Sequence, residues 1–306
     1  MIAEVVVEPE VMAEWRHFHS LHGDFGVGQG RLLCKFPSQW KRMVLARAAV
    51  LEQMGVNSPR QAQMLVDQFQ HGSFRRSLVS SRRPYPESTD WCQAARSANP
   101  AFDLVIHSSP NVAPNELCAG EFLKTSAPFF MERQAEVQRT ADALIECGWP
   151  CFRRAKEIYL IDPYFRPTEA KFGLVLGKLL TRLEKSGMEP SRIEVHTALP
   201  DDYRPAVQRR NWEHWAVGNL PSNWKLKVAH WRTFETGSKM HARYILTDLG
   251  GLDYNWGTDE EPQEFTQVGL LDDAFWEKLY RRFAWPPESM PTEFRDFPDR
   301  VIEIVG

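Results

Sequence analysis

Two residues suited to chemistry, His241 and Arg243, lie two positions apart in a β-rich run of the sequence. Side chains two apart in a strand point to the same face, so we expect these two to share a face, with Tyr244 and Leu246 on the other. An imidazole beside a fixed positive charge is suited to attack on a phosphodiester. Asp248 follows five residues after Arg243, just before a turn marked by glycines.

The spacing His-x-Arg-x-x-x-x-Asp, formed by His241, Arg243 and Asp248, resembles the His-x-Lys-x-x-x-x-Asp signature of the phospholipase D-like superfamily. The resemblance implies that His241 attacks phosphorus and forms a phosphohistidine intermediate, with no metal or other cofactor. It also implies that the residue at position 243 holds the phosphate. The same resemblance covers only the C-terminal half of the chain.

The sequence departs from this family at two places. Arginine replaces lysine at Arg243, which keeps the charge and adds bidentate donors but changes a compact charge into a planar fork. The family's Gly-Ser-x-Asn element is missing from residues 250–257. Asn255 and the following Thr258 are the candidate substitutes for it. Two roles remain open for Asp248, orienting a donor or opening a turn, and His241 is either the nucleophile or a structural histidine.

Alternating strand and helix patterns run from about residue 155 to the end of the chain. They predict strands at 157–161, 192–197, 224–230 and 266–271, helices at 168–185, 202–217 and 273–283, and an edge strand at 301–305. Such an order is typical of an α/β layer architecture. It also resembles one half of a phospholipase D-like unit, so residues 151–306 are expected to form a mixed α/β sandwich of that kind.

The first half of the sequence, residues 1–150, is expected to form a mostly helical domain of unknown role. Helices are predicted at 39–54, 58–70 and 127–146. An arginine-rich loop lies between the second and the third, and its candidate nucleic-acid-binding residues are Arg75, Arg76, Arg82 and Arg83. A solvated loop is the alternative reading of this stretch.

A single motif supplies the attacking histidine but no group to protonate the oxygen of the leaving group. Displacement by a histidine needs such a second group as a proton donor. In the resembled family this group comes from a second motif, and none occurs here. We therefore expect a homodimer in which two His241 side chains face each other across the two-fold axis. His196 and His230, at the ends of predicted strands, are weaker candidates for the acid.

Two further residues, Asp162 and Tyr164, follow the first strand of the α/β unit. Functional groups gather at strand carboxyl ends in open α/β sheets, so both are candidates to line the substrate site with Asn255. The alternative is a turn that ends the strand. The acidic stretch 253–273 contains no Lys or Arg and is open to interpretation as a lid, a partner surface or a divalent-ion site.

Composition restricts the class of protein. The chain has 306 residues and a net charge of -3, so any polyanion site must be local. No apolar run is long enough to span a bilayer and the N-terminus lacks a signal-peptide pattern, which favours a cytoplasmic protein without a membrane partner. Five scattered cysteines favour free thiols over disulfides or zinc.

Two functions fit these observations. The first is a metal-independent phosphodiesterase, nuclease-like, and by resemblance an effector of a prokaryotic defence or restriction system. The second is a catalytically inactive phospholipase D-like module that binds nucleic acid, or binds a protein partner through the N-terminal half. Only the first predicts an acid-labile phosphohistidine at position 241.

Overall fold

The structure, a computed structural model, describes residues 1–70, 72–86, 90–110, 113–120, 129–232, 241–284 and 300–306. It divides into two units, Met1–Arg133 and Gln134–Gly306. The division falls earlier than the predicted one at residue 150, because residues 134–139 form a strand that pairs with Glu261–Leu270 of the second unit. The predicted helix at 127–146 is wrong over residues 134–139 for the same reason, whereas residues 141–146 are helical, in a helix that spans Ala141–Phe152. Residues 127–128 lie outside the described ranges.

The first unit is rich in helix, as expected, but it is built around a parallel sheet that the sequence analysis missed. Its strands are β1 (Ala3–Val7), β2 (Arg31–Lys35), β3 (Leu78–Ser80), β4 (Leu104–His107) and β5 (Glu116–Cys118). Its helices are α1 (Pro9–Ala13), α2 (Trp15–Leu21), α3 (Trp40–Gln53), α4 (Pro59–Gln70), α5 (Gly72–Ser77) and α6 (Trp91–Arg96). The strand order is β3-β2-β1-β4-β5, with every pair parallel.

Burial of the central strand explains why this unit is stable. Every residue of β1 is buried, as expected for a parallel strand covered on both faces. Val5 and Val7 pack into a core with Trp40 of α3 and the aromatic rings of Phe18 and Phe69. The indole Nε1 of Trp40 donates to the Val7 carbonyl at 2.6 Å, which satisfies its buried polar atom. The predicted helices at 39–54 and 58–70 are confirmed as α3 and α4.

A buried carboxylate, Glu116, joins β5 to β4 and α6. It accepts hydrogen bonds from Arg96 Nε at 2.7 Å and Nη2 at 2.9 Å, from His107 Nε2 at 3.0 Å and from the Ala113 backbone N–H at 3.0 Å. The Ser109 backbone N–H donates to His107 Nδ1, so the ring proton lies on Nε2 and points at Glu116. The hydrogen bonds from Arg96, above all, lower the pKa of Glu116 to about 2.

Acid should destabilise the first unit through this carboxylate. Because the folded pKa is depressed, the contribution of Glu116 is present above its unfolded value of 4.5 and is lost as the pH falls toward about 2. Glu116→Gln should therefore flatten the dependence of unfolding free energy on pH in this window, measured by urea unfolding at several pH values. Equal slopes for Glu116→Gln and for Glu132→Gln, which changes an exposed glutamate, would contradict this role.

The second unit contains a mixed sheet of eight strands. The strands are β6 (Gln134–Arg139), β7 (Glu157–Ile161), β8 (Arg192–Ala198), β9 (Lys225–Trp231), β10 (Tyr244–Thr247), β11 (Gly251–Tyr254), β12 (Glu261–Leu270) and β13 (Arg300–Val305). The helices are α7 (Ala141–Phe152), α8 (Ala170–Lys185), α9 (Pro205–Ala216) and α10 (Asp273–Ala284). The strand order is β13-β9-β8-β7-β10-β11-β12-β6. Strands β7, β8 and β9 run parallel to one another, whereas β7 is antiparallel to β10 and β9 is antiparallel to β13.

Helices cover both faces of this sheet. On one face, Tyr159, Tyr244 and Leu246 pack against α10. On the other face, the Tyr254 hydroxyl donates to the Leu144 carbonyl in α7 at 2.9 Å. The mixed α/β class predicted for residues 151–306 is therefore confirmed, and so are the predicted edge strand and the order of the helices.

Two further properties concern thiols and membranes. The five cysteines are free thiols, three of them buried. Among the described residues, no helix has the length and apolar character needed to cross a membrane. Burial raises the pKa of the Cys151 thiol to about 12, so this buried group stays protonated at neutral pH.

Candidate functional site

Arg243 lies at one end of two interior strands of the second sheet, where β7 ends and β10 begins. Tyr244 pairs with Ile161, so Arg243 stands opposite Asp162 in the antiparallel register. The Arg243 carbonyl accepts a hydrogen bond from the Tyr254 N–H at 2.9 Å, which ties the residue to the end of β11. Its backbone is thus fixed between two strand ends.

Among the described residues, the guanidinium of Arg243 has one hydrogen-bond acceptor, the Asn255 carbonyl. Nη1 donates to the Asn255 carbonyl at 2.9 Å, and the group lies 4.8 Å from the centre of the Tyr164 ring. Within the described part of the chain, no carboxylate forms an ion pair with it. Since a guanidinium has five N–H donors, most remain available to the oxygen atoms of an anionic ligand.

Asp162 fixes the loops next to Arg243 through hydrogen bonds. It is fully buried, and its Oδ1 accepts from the Tyr164 N–H at 2.9 Å. Oδ2 accepts from the Thr258 hydroxyl at 2.9 Å and from the Thr258 N–H at 3.3 Å. Burial raises the pKa of this carboxyl group above its ordinary value. The prediction that Asp162 lines the substrate site is corrected: it holds the loops that carry Tyr164 and Thr258.

His241 is exposed and lies two residues before Arg243, outside β10. The predicted strand was expected to include both residues, whereas β10 begins at Tyr244. Pro163, which the register places opposite residue 242, has no N–H to donate toward β10, while the neighbouring Asp162 N–H donates to the His196 carbonyl on the β8 side. The imidazole of His241 is therefore accessible to a ligand or to a second chain.

Asp248 lies beyond the opposite end of β10 from His241. Its Oδ1 accepts hydrogen bonds from the backbone N–H groups of Lys156 at 2.8 Å and Glu157 at 3.2 Å. Partial burial raises the pKa of this carboxyl group. The structure therefore does not bring Asp248 to His241, and its contacts correspond to the turn-opening alternative, which fastens the β10–β11 turn to the start of β7.

Asn255 and Tyr164, the other two predicted site residues, are both exposed beside Arg243. Asn255 contributes its carbonyl to the guanidinium and leaves its side chain at the surface. Thr258, the second candidate substitute for the missing Gly-Ser-x-Asn element, is buried and bonded to Asp162. The structure thus brings together Arg243, Tyr164 and Asn255, and the exposed His241 lies two positions before Arg243 in the chain.

Local partners neutralise much of the acidic stretch 253–273. Asp259 forms ion pairs with Arg139 and with Lys171, whose Nζ also pairs with Glu261 at 3.0 Å. Glu260 accepts from the first N–H of α7, and Asp272 accepts from the Phe275 N–H at the start of α10. These contacts fix the acidic residues in the structure of the unit. Within the described ranges, no three His, Cys, Asp or Glu residues form a metal-binding group.

The two weaker acid candidates are both buried. His196 donates from Nε2 to Glu194 at 3.0 Å, because its Nδ1 accepts from Trp231 Nε1. Burial lowers the pKa of His196, and it lowers the pKa of His230 to about 4 with a contribution from Arg166. Neither ring is accessible to the leaving group of a substrate.

The four arginines predicted to bind nucleic acid divide by burial. Arg75 and Arg82 are exposed, and Arg76 is half-buried. Arg83 is buried and forms an ion pair with Glu4 at 2.6 Å, so its assignment to a nucleic-acid surface is corrected. Residues 31–83 nevertheless contain ten Lys or Arg and only two Asp or Glu, a strong local excess of positive charge.

Sequence reasoning missed Trp256, which follows Asn255 in the chain and is 65% exposed. A tryptophan in a run of mixed residues gives no signal of exposure, because most tryptophans are buried. No sequence pattern was available to identify it.

No protein-family model and no curated protein matches this sequence. Among solved structures, the chain is similar to TrmBL2, an archaeal chromatin protein whose structure is described as showing a novel mode of DNA binding. The identity is 13% and the TM-score 0.28, and the match covers 52% of each chain, about half the length of that protein. A similarity this low establishes neither a family nor a function for the chain.

Proposed function

We propose that the second unit is a phospholipase D-like phosphodiesterase that cleaves nucleic acid without a metal. The observation that carries this proposal is the guanidinium of Arg243, which forms no ion pair with a carboxylate among the described residues and lies two positions from an exposed histidine. A cation with unfilled donors beside an accessible imidazole is suited to hold and attack a phosphodiester. The order of strands and helices in the second unit supports the same family.

The reaction would proceed in two displacements. His241 attacks phosphorus, a P–N bond forms, and the P–O bond to the leaving nucleoside breaks. A second imidazole, His241 of the other chain in a homodimer, protonates the leaving oxygen. Water then attacks the phosphohistidine and gives a proton to the second imidazole, a new P–O bond forms, and the P–N bond breaks to release His241. Arg243 holds the non-bridging oxygens throughout, where negative charge develops.

Nucleic acid is the preferred substrate class because the first unit offers exposed cations. Arg75 and Arg82 lie in the positively charged segment 31–83 and face solvent. Lysine and arginine side chains at a surface bind the phosphate backbone without sequence preference. Cleavage of foreign nucleic acid would fit an effector of a defence or restriction system.

A catalytically inactive binding module is the second candidate, and one observation favours it. The Thr258 hydroxyl, which replaces a polar group of the resembled family, is buried against Asp162 and does not reach a ligand. Arginine at position 243 changes the phosphate geometry in the same site. Such a module would bind nucleic acid or a protein partner in an assembly and would form no phosphohistidine.

The test is incubation of the purified chain with single- and double-stranded DNA and RNA in EDTA. Cleavage supports the phosphodiesterase, and EDTA removes contaminating metal nucleases from the result. Binding without cleavage supports the inactive module. The absence of both binding and cleavage would overturn the phosphodiesterase and would leave only an inactive module that binds a protein partner.

Arg243 variants should separate the phosphate contact from general charge. Arg243→Ala should raise the Kd for nucleic acid about tenfold, because a charge-assisted hydrogen bond is lost, while Arg243→Lys should retain most of the binding. The measurement is fluorescence anisotropy at fixed salt. Arg209→Ala serves as the control, since Arg209 is an exposed arginine already paired with Glu213. Equal losses for both alanine variants would argue against a specific role for Arg243.

A further inference from the structure

Two exposed aromatic residues, Tyr164 and Trp256, lie on the loops that follow β7 and β11, next to Arg243 in the second sheet. Tyr164 is 48% exposed and its ring lies 4.8 Å from the guanidinium carbon. Trp256 is 65% exposed and directly follows Asn255, whose carbonyl accepts from Arg243 Nη1 at 2.9 Å. Each of the two loops that contact Arg243 thus carries an exposed aromatic residue, and among the described residues most of the guanidinium donors have no acceptor.

Hydrogen bonds fix the backbone under both rings. The Tyr164 N–H is held by the buried carboxylate of Asp162, as described above. The Trp256 N–H donates to the Thr266 hydroxyl at 3.2 Å, and the next residue, Gly257, closes the turn with φ of 126°, a conformation that favours glycine. The rings are therefore presented to solvent from rigid supports, which lowers the entropy lost when a ligand binds.

Flat exposed rings beside a phosphate-binding cation match the chemistry of a nucleotide. Bases stack on aromatic side chains with little sequence preference, because every base has a π face. In a duplex these faces are already covered by neighbouring base pairs. A phosphate that lacks a base, such as a lipid headgroup, would use the cation and leave the rings unoccupied.

We propose that unpaired bases of a single-stranded nucleic acid stack on Tyr164 and Trp256 while Arg243 holds the phosphate between them. This inference rests on the proposed function for the position of the phosphate and adds the substrate class, single-stranded rather than duplex. The rings bind bases, and cleavage itself requires only the groups already assigned.

Binding should be measured in the His241→Ala background, so that no ligand is cleaved. The ligands are a short oligothymidylate, an abasic strand of the same length and a duplex. We expect the oligothymidylate to bind more tightly than either of the others. Trp256→Ala should raise the Kd for oligothymidylate about tenfold and leave the Kd for the abasic strand nearly unchanged, since it removes a base contact.

Tyr164 needs a second variant because its ring also lies over Arg243. Tyr164→Phe keeps the ring and should bind like the parent, whereas Tyr164→Ala should lose affinity for oligothymidylate. Phe130→Ala is the control, since Phe130 in the first unit is also 65% exposed and carries no role in this site. An equal loss in the control would overturn the inference by reducing it to general apolar contact.

Other results would also overturn it. One is that Trp256→Ala weakens the binding of the abasic strand and of oligothymidylate equally. Another is that the duplex binds as tightly as the single strand. A third is that Trp256→Ala changes the oligomeric state of the protein without changing its affinity for oligothymidylate. The last would mean that a second copy of the chain covers Trp256. A preference for oligothymidylate that depends on Trp256, in a protein that cleaves nothing, would leave this inference intact and refute only the phosphodiesterase.

Discussion

Replacing Arg83 with methionine should lower the free energy of unfolding of the first unit by roughly 3–5 kcal/mol, the usual cost of removing one partner of a buried ion pair. The side chains of Arg83 and Glu4 are 2% and 3% exposed and lie 2.6 Å apart. Glu4 belongs to β1, the central strand, so the variant would leave a carboxylate without this cation inside the sheet. The guanidinium also donates to the Ser81 and Ala101 carbonyls and lies 4.0 Å from the centre of the Phe102 ring.

Urea unfolding, together with hydrogen exchange of the β1 amides, would measure the loss. Arg82→Met is the matched control, because Arg82 is the exposed neighbour and its substitution should change stability by less than about 0.5 kcal/mol. Adding Glu4→Gln to Arg83→Met should recover part of the lost stability, since the unpaired charge is removed. Wild-type stability in Arg83→Met alone would show that the ion pair contributes little.

Adjacent arginines with opposite roles illustrate what the sequence could not reveal. Arg82 and Arg83 have the same charge and the same loop context, and both were assigned to a nucleic-acid surface. Contacts with Glu4, 79 residues away, and with the Ala101 carbonyl and the Phe102 ring make Arg83 structural. A charge pattern identifies cations, while burial of a cation depends on contacts formed by the tertiary fold.

Much of the second unit was predictable because its elements carry local signals. The strand β7 was predicted with its observed bounds, since a β-branched apolar run ends at Asp162-Pro163. Helix α8 was predicted to within two residues of its start, from apolar residues at helical spacing. Its end, Lys185, was predicted as observed because Gly187 follows with a positive φ of 66°.

The missed elements have strong tertiary causes. Residues 134–139 are rich in Gln, Glu and Arg and favour helix, but pairing with β12 at the edge of the sheet makes them a strand whose residues alternate between exposed and half-buried. The first sheet was missed because β3 and β5 have only 3 residues each and β4 has 4. Their partners in the parallel sheet are distant in sequence, so no local pattern announces them.

The motif drew attention to Arg243 but misjudged the carboxylates around it. Arg243 lies where the interior strands β7 and β10 end and begin, and its guanidinium donates to the Asn255 carbonyl. Asp248 and Asp162 were expected at the site and instead hold backbone groups in place. A carboxylate near a motif can act on a ligand, or it can accept hydrogen bonds that stabilise a turn. Its role depends on which backbone N–H groups the fold places beside it.

If the proposed mechanism holds, removing the imidazole of His241 should reduce cleavage at least about 10⁴-fold, because that group would form the covalent bond to phosphorus. His241→Ala should also lose the acid-labile, alkali-stable label that the wild type acquires from a phosphorus-labelled strand. His214→Ala is the control, since His214 is an exposed histidine on α9 and should leave both signals unchanged. Cleavage by His241→Ala at the wild-type rate would mean that another group is the nucleophile.

Mixed dimers would then test where the second proton donor lies. If both His241 side chains serve one shared site, equal amounts of exchanged wild-type and His241→Ala chains should retain about one quarter of the activity, because only dimers of two wild-type chains keep both imidazoles. Chains that work alone would retain about one half in the same mixture. The difference distinguishes a site completed across the two-fold axis from a site in which the proton comes from the same chain. In the second case the histidines considered as donors, His196 and His230, are both buried.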